Sequence, residues 1–479
     1  MKKSITLNYI YNTLYQVLTL VTPLITAPYL ARVLRAEGIG RYSYESSIVS
    51  YFVLLAALGI GMFGQREIAS HQDSRKIRSQ VFWDLKALSV LTTGIALVAY
   101  FVMCFFLDDP ELYIVLSLSI LSCAVDIAWL YQGMEDFGAV VLRNTIIKIL
   151  DVAFVFLFIK EPEDLLLYVF GVTGMSLLSV ISMWWGVGKY IDRPIWKNIK
   201  PFRNFSAVLS LFIPTLAIQV YTVLDKTMIG LITQSDTENG YYEQAIKLSK
   251  MVLMLVTSLG TVMIPRMSYY FEQRDTEKVQ DYMKKAFSFV WFLGIPLCFG
   301  LIGTASSLVP WFYGDGYEKV VPLLQILSLL IPIIGINNIT GWQYLVASKR
   351  QNLFTKTVVI GAVTNFVLNL ALITFFQSIG AAIASVIAEI VVTEVQFWIL
   401  RNELPIWDLL KLAWKYLAAG ALMLVGVLLL NALLPNTIPA TILLVATGII
   451  IYFVGLLIMK DEFLLCNAAS MLKKIMRRN

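Results

Sequence analysis

Long apolar segments recur along almost the whole chain, and they constrain its fold more than any other feature. A helix that crosses the hydrocarbon core of a bilayer needs about 20 mostly apolar residues, and fourteen segments of the 479-residue sequence meet that requirement. Only 15% of the residues are charged, against about 25% in soluble domains, so most residues cannot face water. The sequence predicts an all-α polytopic membrane protein with 14 transmembrane helices. The predicted spans are residues 8–34, 42–64, 84–107, 112–133, 140–159, 165–188, 204–232, 240–265, 286–309, 320–346, 355–376, 379–400, 412–433 and 438–459.

Lys and Arg are concentrated in alternate loops between these spans. Cytoplasmic loops of membrane proteins keep an excess of positive charge, so both termini are predicted to be cytoplasmic. The net charge of +6 therefore follows largely from topology and does not indicate a nucleic-acid partner. The basic segments are 65–83, 189–203, 266–285, 347–356, 401–415 and 460–479.

The chain offers little from which a catalytic or metal site could be built. The single histidine, His71, lies in a charged loop, and the four cysteines show no CxxC spacing. No GxxxxGK[ST] motif for ATP binding is present. The predicted external loops are too short to carry the paired carboxylates of a glycan polymerase or ligase, which makes such an enzyme a less favoured interpretation. We therefore expect no enzymatic activity, no catalytic residue, no metal site and no bound cofactor.

The sequence contains an internal repeat, which is typical of transporters. A shift of 213 residues pairs Trp129-Leu130-Tyr131 with Trp342-Gln343-Tyr344. The repeat predicts an N-terminal lobe of six spans (1–203), a C-terminal lobe of six spans (204–403), two further helices (404–459) and a cytoplasmic basic tail (460–479). A shift of 200 residues aligns Gly40 with Gly240, Tyr42 with Tyr242, Leu55 with Leu255, Arg66 with Arg266, and Gln80 with Gln280.

Several charged residues fall inside the predicted spans. A charge at the bilayer centre costs about 2.5–3.5 kcal/mol on the insertion scale, so such residues usually pair or line a cavity. Glu243, Lys247 and Lys250 follow one another at i, i+4 and i+7 and share one face of the eighth span. We expect Arg32, Lys247 and Lys250 to be cations of a substrate cleft.

A second set of intramembrane residues is expected in the outer half of the membrane. Glu45, Asp225, Lys226 and Glu243 are predicted to bridge the two lobes as an external gate or to couple transport to an ion. Polar side chains at helical spacing are expected to line a wet cleft between the lobes. This polar stripe comprises Asn8, Asn12 and Thr19 of the first span and Ser43, Ser47 and Ser50 of the second.

Two blocks of the sequence resemble a known family. Residues 28–69, PYLARVLRAEGIGRYSYESSIVSYFVLLAALGIGMFGQREIA, and residues 219–268, with YTVLDKTMIG, ENGYYEQA and TVMIPRMS, are similar to bacterial polysaccharide repeat-unit flippases. These belong to the multidrug/oligosaccharidyl-lipid/polysaccharide exporter superfamily. One departure is Arg35-Ala36, where many relatives carry glycine followed by a small residue or proline.

The resemblance implies two pseudo-symmetric six-helix lobes around a central cleft, plus two C-terminal helices. It also implies a flippase of the bacterial cytoplasmic (inner) membrane. The implied substrate is an undecaprenyl-pyrophosphate-linked oligosaccharide, moved to the outer leaflet by alternating access for capsule, O-antigen or exopolysaccharide biosynthesis. A proton or sodium gradient could supply the energy, and polysaccharide-assembly proteins are candidate partners. The alternatives of the same fold are a multidrug cation antiporter, against which the cleft cations weigh, and a peptidoglycan-precursor flippase.

Overall fold

All regular secondary structure in the described part of the chain is helical, which confirms the all-α prediction. The chain divides into two compact units, Met1–Gly240 and Tyr241–Asn479. A computed structural model describes residues 5–107 and 109–465, without the side chains of residues 5–17, 20, 137, 139, 213–215, 217–218, 220, 259 and 261–262.

The first unit begins with a long helix that is broken at Arg35, where φ is 58° and ψ is 177°. The break directly follows the predicted end of the first span at residue 34. The last helix of the unit, α8, packs against α1. The helices are α1 (Ile5–Ala57), α2 (Ile60–Ser70), α3 (Arg75–Phe105), α4 (Glu111–Val125), α5 (Ala128–Gly133), α6 (Phe137–Phe158), α7 (Leu165–Ser182) and α8 (Phe205–Thr233).

The second unit contains most of α9, whose first turn belongs to the first unit. A π-helix at Asn338–Val346 follows α12, and α13 is broken at Gln377, where φ is 53°. That break lies between the predicted spans 355–376 and 379–400. The helices are α9 (Asp236–Glu272), α10 (Thr276–Tyr313), α11 (Val320–Ser328), α12 (Leu330–Asn337), α13 (Gln351–Leu400), α14 (Ile406–Lys411), α15 (Ala413–Asn431) and α16 (Ile438–Ile458).

Both units combine a buried core with exposed apolar faces. Phe82 and Tyr100 are fully buried in the first unit, as is Phe287 in the second, whereas Phe105 is 85% exposed. Helices satisfy their backbone hydrogen bonds internally, so apolar helix faces suit contact with lipid. In the described part of the chain, nine helices are long and apolar enough to cross a membrane, and ten if one bent pair is a single span. Each of the fourteen predicted spans falls on helix, but the count of fourteen stays a prediction.

One residue pair related by the internal repeat is in contact in both units. In the first unit the rings of Tyr131 and Tyr190 lie 5.5 Å apart, and their hydroxyl groups donate to Met183 and Asp136 respectively. In the second unit the Tyr344 hydroxyl donates to Glu403 over 2.9 Å, and Arg350 binds the same carboxylate with two hydrogen bonds of 2.7 Å. The shift of 213 residues that pairs Tyr131 with Tyr344 also pairs Tyr190 with Glu403.

The division at Gly240 falls later along the chain than the predicted lobe boundary at residue 203. Helix α8 accounts for the difference, because it packs on α1 in the first unit. The predicted lobes 1–203 and 204–403, and the region 404–459 that holds α14 to α16, stay predictions. Most of the predicted tail, residues 466–479, lies outside the described residues.

Candidate functional site on helices α1, α8 and α9

Helix α1 and the first turn of α9 meet at two glycines. A Cβ atom added to Gly40 would lie 1.6 Å from the backbone oxygen of Asp236, and one added to Gly240 would lie 1.9 Å from that of Ala36. Ala36 and Asp236 each precede the glycine of their own helix by four residues, about one turn, so the contact is reciprocal. The backbones come this close because neither glycine carries a side chain.

Further along α1 from Gly40, hydroxyl groups join this helix to α8. The hydroxyl oxygens of Ser47 and Thr227 are 2.8 Å apart, and the Tyr51 hydroxyl lies 3.1 Å from Thr227. Ser47 is 2% exposed and Thr227 is 9% exposed. A third glycine, Gly230, lies against the ring of Tyr44, where a Cβ would come within 2.0 Å of Cδ2. The two helices are therefore held by close backbone approach and by short polar contacts.

Helix α1 also carries a buried carboxylate. Glu45 is 4% exposed, and its Oε1 accepts a hydrogen bond from Arg41 Nε over 3.0 Å. The same guanidinium group pairs with Asp109 over 2.6 Å. Glu45 Oε2 is buried and has no hydrogen-bond partner among the described residues. One cation thus serves two carboxylates, so a proton or a small cation bound at Glu45 would relieve an excess of negative charge.

The other predicted gate residues lie on α8 and α9. Asp225 and Lys226 are half-buried on α8, and the backbone carbonyl of Lys226 accepts a hydrogen bond of 2.7 Å from the side chain of Asn239. The structure therefore places Glu45 on α1 and Asp225 and Lys226 on α8, and these two helices pack against each other. Glu243 is half-buried on α9 in the second unit.

The predicted cleft cations are distributed over both units. Arg32 is exposed on α1, and its Nη1 donates to the carbonyl of Pro28 over 3.2 Å. Lys247 is half-buried and Lys250 is exposed, both on the part of α9 that belongs to the second unit. Their role as substrate contacts stays a prediction.

The predicted polar stripe is described only in part, because the side chains of Asn8 and Asn12 lie outside the described residues. Thr19 is exposed, and Ser50 is half-buried. Ser43 and Ser47 are buried. Ser47 lies in the α1–α8 contact, and it does not border an open surface in this conformation.

Several residues of this site were not singled out in the sequence, among them Arg41, Thr227 and Tyr51. The spacing of Arg41 and Glu45 at i and i+4 could have identified that pair. Ser47 and Thr227 are separated by 180 residues, and no sequence motif connects them. Among the residues that the structure describes, no group of three or more His, Cys, Asp or Glu side chains is arranged to hold a metal ion.

Comparison with known proteins places the chain in a family. The sequence profile described as "Polysaccharide biosynthesis protein" matches residues 5–271, which is more than half of the chain. The chain belongs to this family. The match confirms the resemblance drawn from the two sequence blocks, within the multidrug/oligosaccharidyl-lipid/polysaccharide exporter superfamily. A second profile, MatE, matches residues 211–371 of the chain.

Individual relatives agree with that assignment. A protein of Escherichia coli (strain K12) named "Putative O-antigen transporter" is 24% identical over 412 residues, which cover 84% of this chain and 98% of the relative. The solved structure of the lipid II flippase MurJ in an inward closed conformation has a TM-score of 0.71 at 16% identity, and covers 95% of this chain and 99% of its own. An inward-facing MATE family multidrug transporter has a TM-score of 0.59 at 14% identity, over 78% and 94% of the two chains. The chain is thus a multi-pass membrane protein with the fold of those solved structures.

Proposed function

We propose that this protein is a flippase that moves a lipid-linked oligosaccharide from the cytoplasmic to the outer leaflet of the bacterial inner membrane. The observation that carries the proposal is the polar contact of α1 with α8, two helices that carry Glu45, Asp225 and Lys226 within predicted membrane spans. Membership of the polysaccharide biosynthesis protein family and the named O-antigen transporter relative support the glycan substrate.

The contact between α1 and α8 has the properties of a gate. Each hydroxyl hydrogen bond, such as the one between Ser47 and Thr227, contributes only about 0.5–1.5 kcal/mol net. Breaking the hydrogen bonds between the two helices therefore costs little free energy. In the predicted lobes α1 belongs to the N-terminal half and α8 to the C-terminal half. In alternating access, this contact would close the cleft on one side of the membrane in one state. It would be broken when the cleft opens to that side in the other state.

The substrate is proposed to be an undecaprenyl-pyrophosphate-linked repeat unit for capsule, O-antigen or exopolysaccharide assembly. Arg32, Lys247 and Lys250 supply positive charge for a pyrophosphate, since cations on flexible side chains are common phosphate ligands. The polar stripe offers hydroxyl and amide groups for sugars, and the lipid chain stays in the bilayer. No covalent step is involved.

Transport is proposed to be coupled to a proton or sodium gradient through one of the gate carboxylates. Glu45 is the strongest candidate because it is buried and one of its oxygens has no hydrogen-bond partner in the described part of the chain. Asp225 and Glu243 complete the candidate set.

Deletion of the gene tests the function. Loss of the protein should cause lipid-linked repeat units to accumulate on the cytoplasmic face, and the wild-type chain should reverse this. Lys250→Ala should fail to complement at normal membrane levels, whereas the exposed Lys356→Ala should complement as a matched control. If the deletion leaves repeat-unit export intact and instead sensitises cells to cationic dyes or blocks peptidoglycan-precursor export, the proposal is wrong in favour of an antiporter or a precursor flippase.

A further inference from the structure

A large cavity lies at one end of the second unit, where the first turns of α10 and α15 meet the segment that follows α16. It has a volume of 760 Å³. The basic segments 266–285 and 401–415 reach into it, so it lies at the predicted cytoplasmic surface. Its lining comprises four lysines (Lys284, Lys285, Lys411, Lys415), three acidic residues (Asp281, Asp461, Glu462) and Ser288, Leu412, Trp414, Tyr416 and Phe463.

Part of the acidic lining is already engaged within the protein. Asp281 pairs with Lys285 over 2.6 Å. Asp461 is buried, and its Oδ1 accepts a hydrogen bond of 2.9 Å from the backbone N–H of Leu464. Lys415 donates to a backbone carbonyl over 3.3 Å and lies 5.9 Å from the Trp414 ring centroid. Lysine ammonium groups beside an exposed tryptophan are typical of a surface at lipid head-group level.

An apolar groove continues from this cavity along the same helices. Phe292, one turn beyond Ser288 of the cavity, lines a groove of 370 Å³ between α10, α15 and α16. The ring of Phe292 lies 5.4 Å from that of Phe463, which lines the cavity, so the two spaces adjoin at this ring pair. Gly300 provides room in the groove, since a Cβ added there would meet no atom within 4 Å.

We infer that the second unit binds one membrane phospholipid with an anionic head group at this paired site. The phosphate lies among Lys284, Lys411 and Lys415, and an acyl chain occupies the groove. Basic pockets between membrane helices at the cytoplasmic side bind anionic head groups in this way. A cavity of about 150 Å³ holds one benzene molecule, so 370 Å³ has room for about fifteen carbons. That volume is filled by a single acyl chain.

The test is a lipid titration of the purified full-length protein, followed by native mass spectrometry. Phosphatidylglycerol should bind about tenfold more tightly than phosphatidylcholine. Lys284→Gln/Lys415→Gln should remove this preference, whereas Lys349→Gln/Lys356→Gln, which removes two exposed lysines elsewhere in the same unit, should keep it. Gly300→Leu should weaken binding of both lipids by filling the groove, and Gly94→Leu, at another glycine with open space around it, should not.

Three outcomes would overturn the inference. The first is equal affinity of the wild type for the two phospholipids, or unchanged selectivity in the Lys284→Gln/Lys415→Gln variant. The second is displacement of phosphatidylglycerol by millimolar inorganic phosphate, which would indicate a free-phosphate site. The third is displacement at lower concentrations of undecaprenyl phosphate than of phosphatidylglycerol, which would indicate a carrier-lipid site. The measurement needs no transport, so its result is independent of the proposed flippase activity.

Discussion

Gly40 and Gly240 lie in reciprocal contact, each facing the carbonyl group that precedes the other glycine by one helical turn. The two residues are also equivalent in the internal repeat, being 200 positions apart. The repeat therefore places its own equivalent glycines against each other, and a side chain at either position would meet backbone. Backbone atoms cannot move aside as a flexible side chain can, so this closed contact depends on glycine.

Gly40→Ala and Gly240→Ala should shift the protein away from this conformation. In a cysteine-free background, labelling of Ser47→Cys by a membrane-impermeant maleimide should become at least about tenfold faster in either variant, because a clash of this size changes the populations of the two states. Gly61→Ala is the control, since a Cβ there meets no atom within 4 Å. Equal labelling rates in all variants would show that the contact does not limit access.

Substitution of Arg41 should destabilise the protein more than substitution of its partner Glu45. Arg41→Gln leaves the buried Glu45 carboxylate without its cation and should lower the free energy of unfolding by about 1–3 kcal/mol. Glu45→Gln should cost less, because a neutral amide tolerates burial better than an unpaired charge. The double variant should recover part of the loss in thermal unfolding of the detergent-solubilised protein. Strictly additive losses would contradict a direct interaction.

The break in α1 has a consequence for stability. Arg35 occupies φ 58°, ψ 177°, a region that is almost exclusive to glycine and costs other residues about 1–3 kcal/mol. Arg35→Gly should therefore raise the thermal unfolding temperature despite the greater freedom of glycine in the unfolded chain. Arg66→Gly, within regular helix α2, should lower the unfolding temperature, because glycine inside a helix costs about 1 kcal/mol of stability. A fall in both variants would contradict the strained backbone at residue 35.

The ion pair of Glu403 with Arg350 should make the stability of the folded protein depend on pH. The hydrogen bonds and the charge of Arg350 hold the pKa of Glu403 below its ordinary value of 4.5. A carboxylate with a depressed pKa stabilises the folded state above the unfolded pKa, and this contribution is lost as the pH falls through the folded value. Glu403→Gln should therefore destabilise the protein at neutral pH and reduce the loss of stability between neutral pH and acid. An acid dependence of unfolding in Glu403→Gln equal to that of the wild type would contradict this prediction.

The sequence predicts helix positions better than helix contacts. Apolar length alone predicted that the first span ends at residue 34, and the structure breaks α1 at Arg35. Glu45, Asp225 and Lys226 were selected because charges inside a membrane are costly, and the structure brings them to neighbouring helices. The partner Thr227 could not be predicted, because its hydrogen bond to Ser47 depends on how α8 packs on α1. The same packing puts α8 in the first unit, which no repeat in a single sequence reveals.

The most direct test of the central claim is translocation by the purified protein in vesicles. Proteoliposomes with and without the protein would be loaded with a fluorescent undecaprenyl-pyrophosphate-linked oligosaccharide, and its exposure to an impermeant quencher would be followed under an imposed proton or sodium gradient. We expect rapid translocation with the wild type and little with Gly40→Ala, although both bind the substrate. Translocation no faster than in protein-free vesicles under either gradient, with efflux of a cationic dye in its place, would contradict the account.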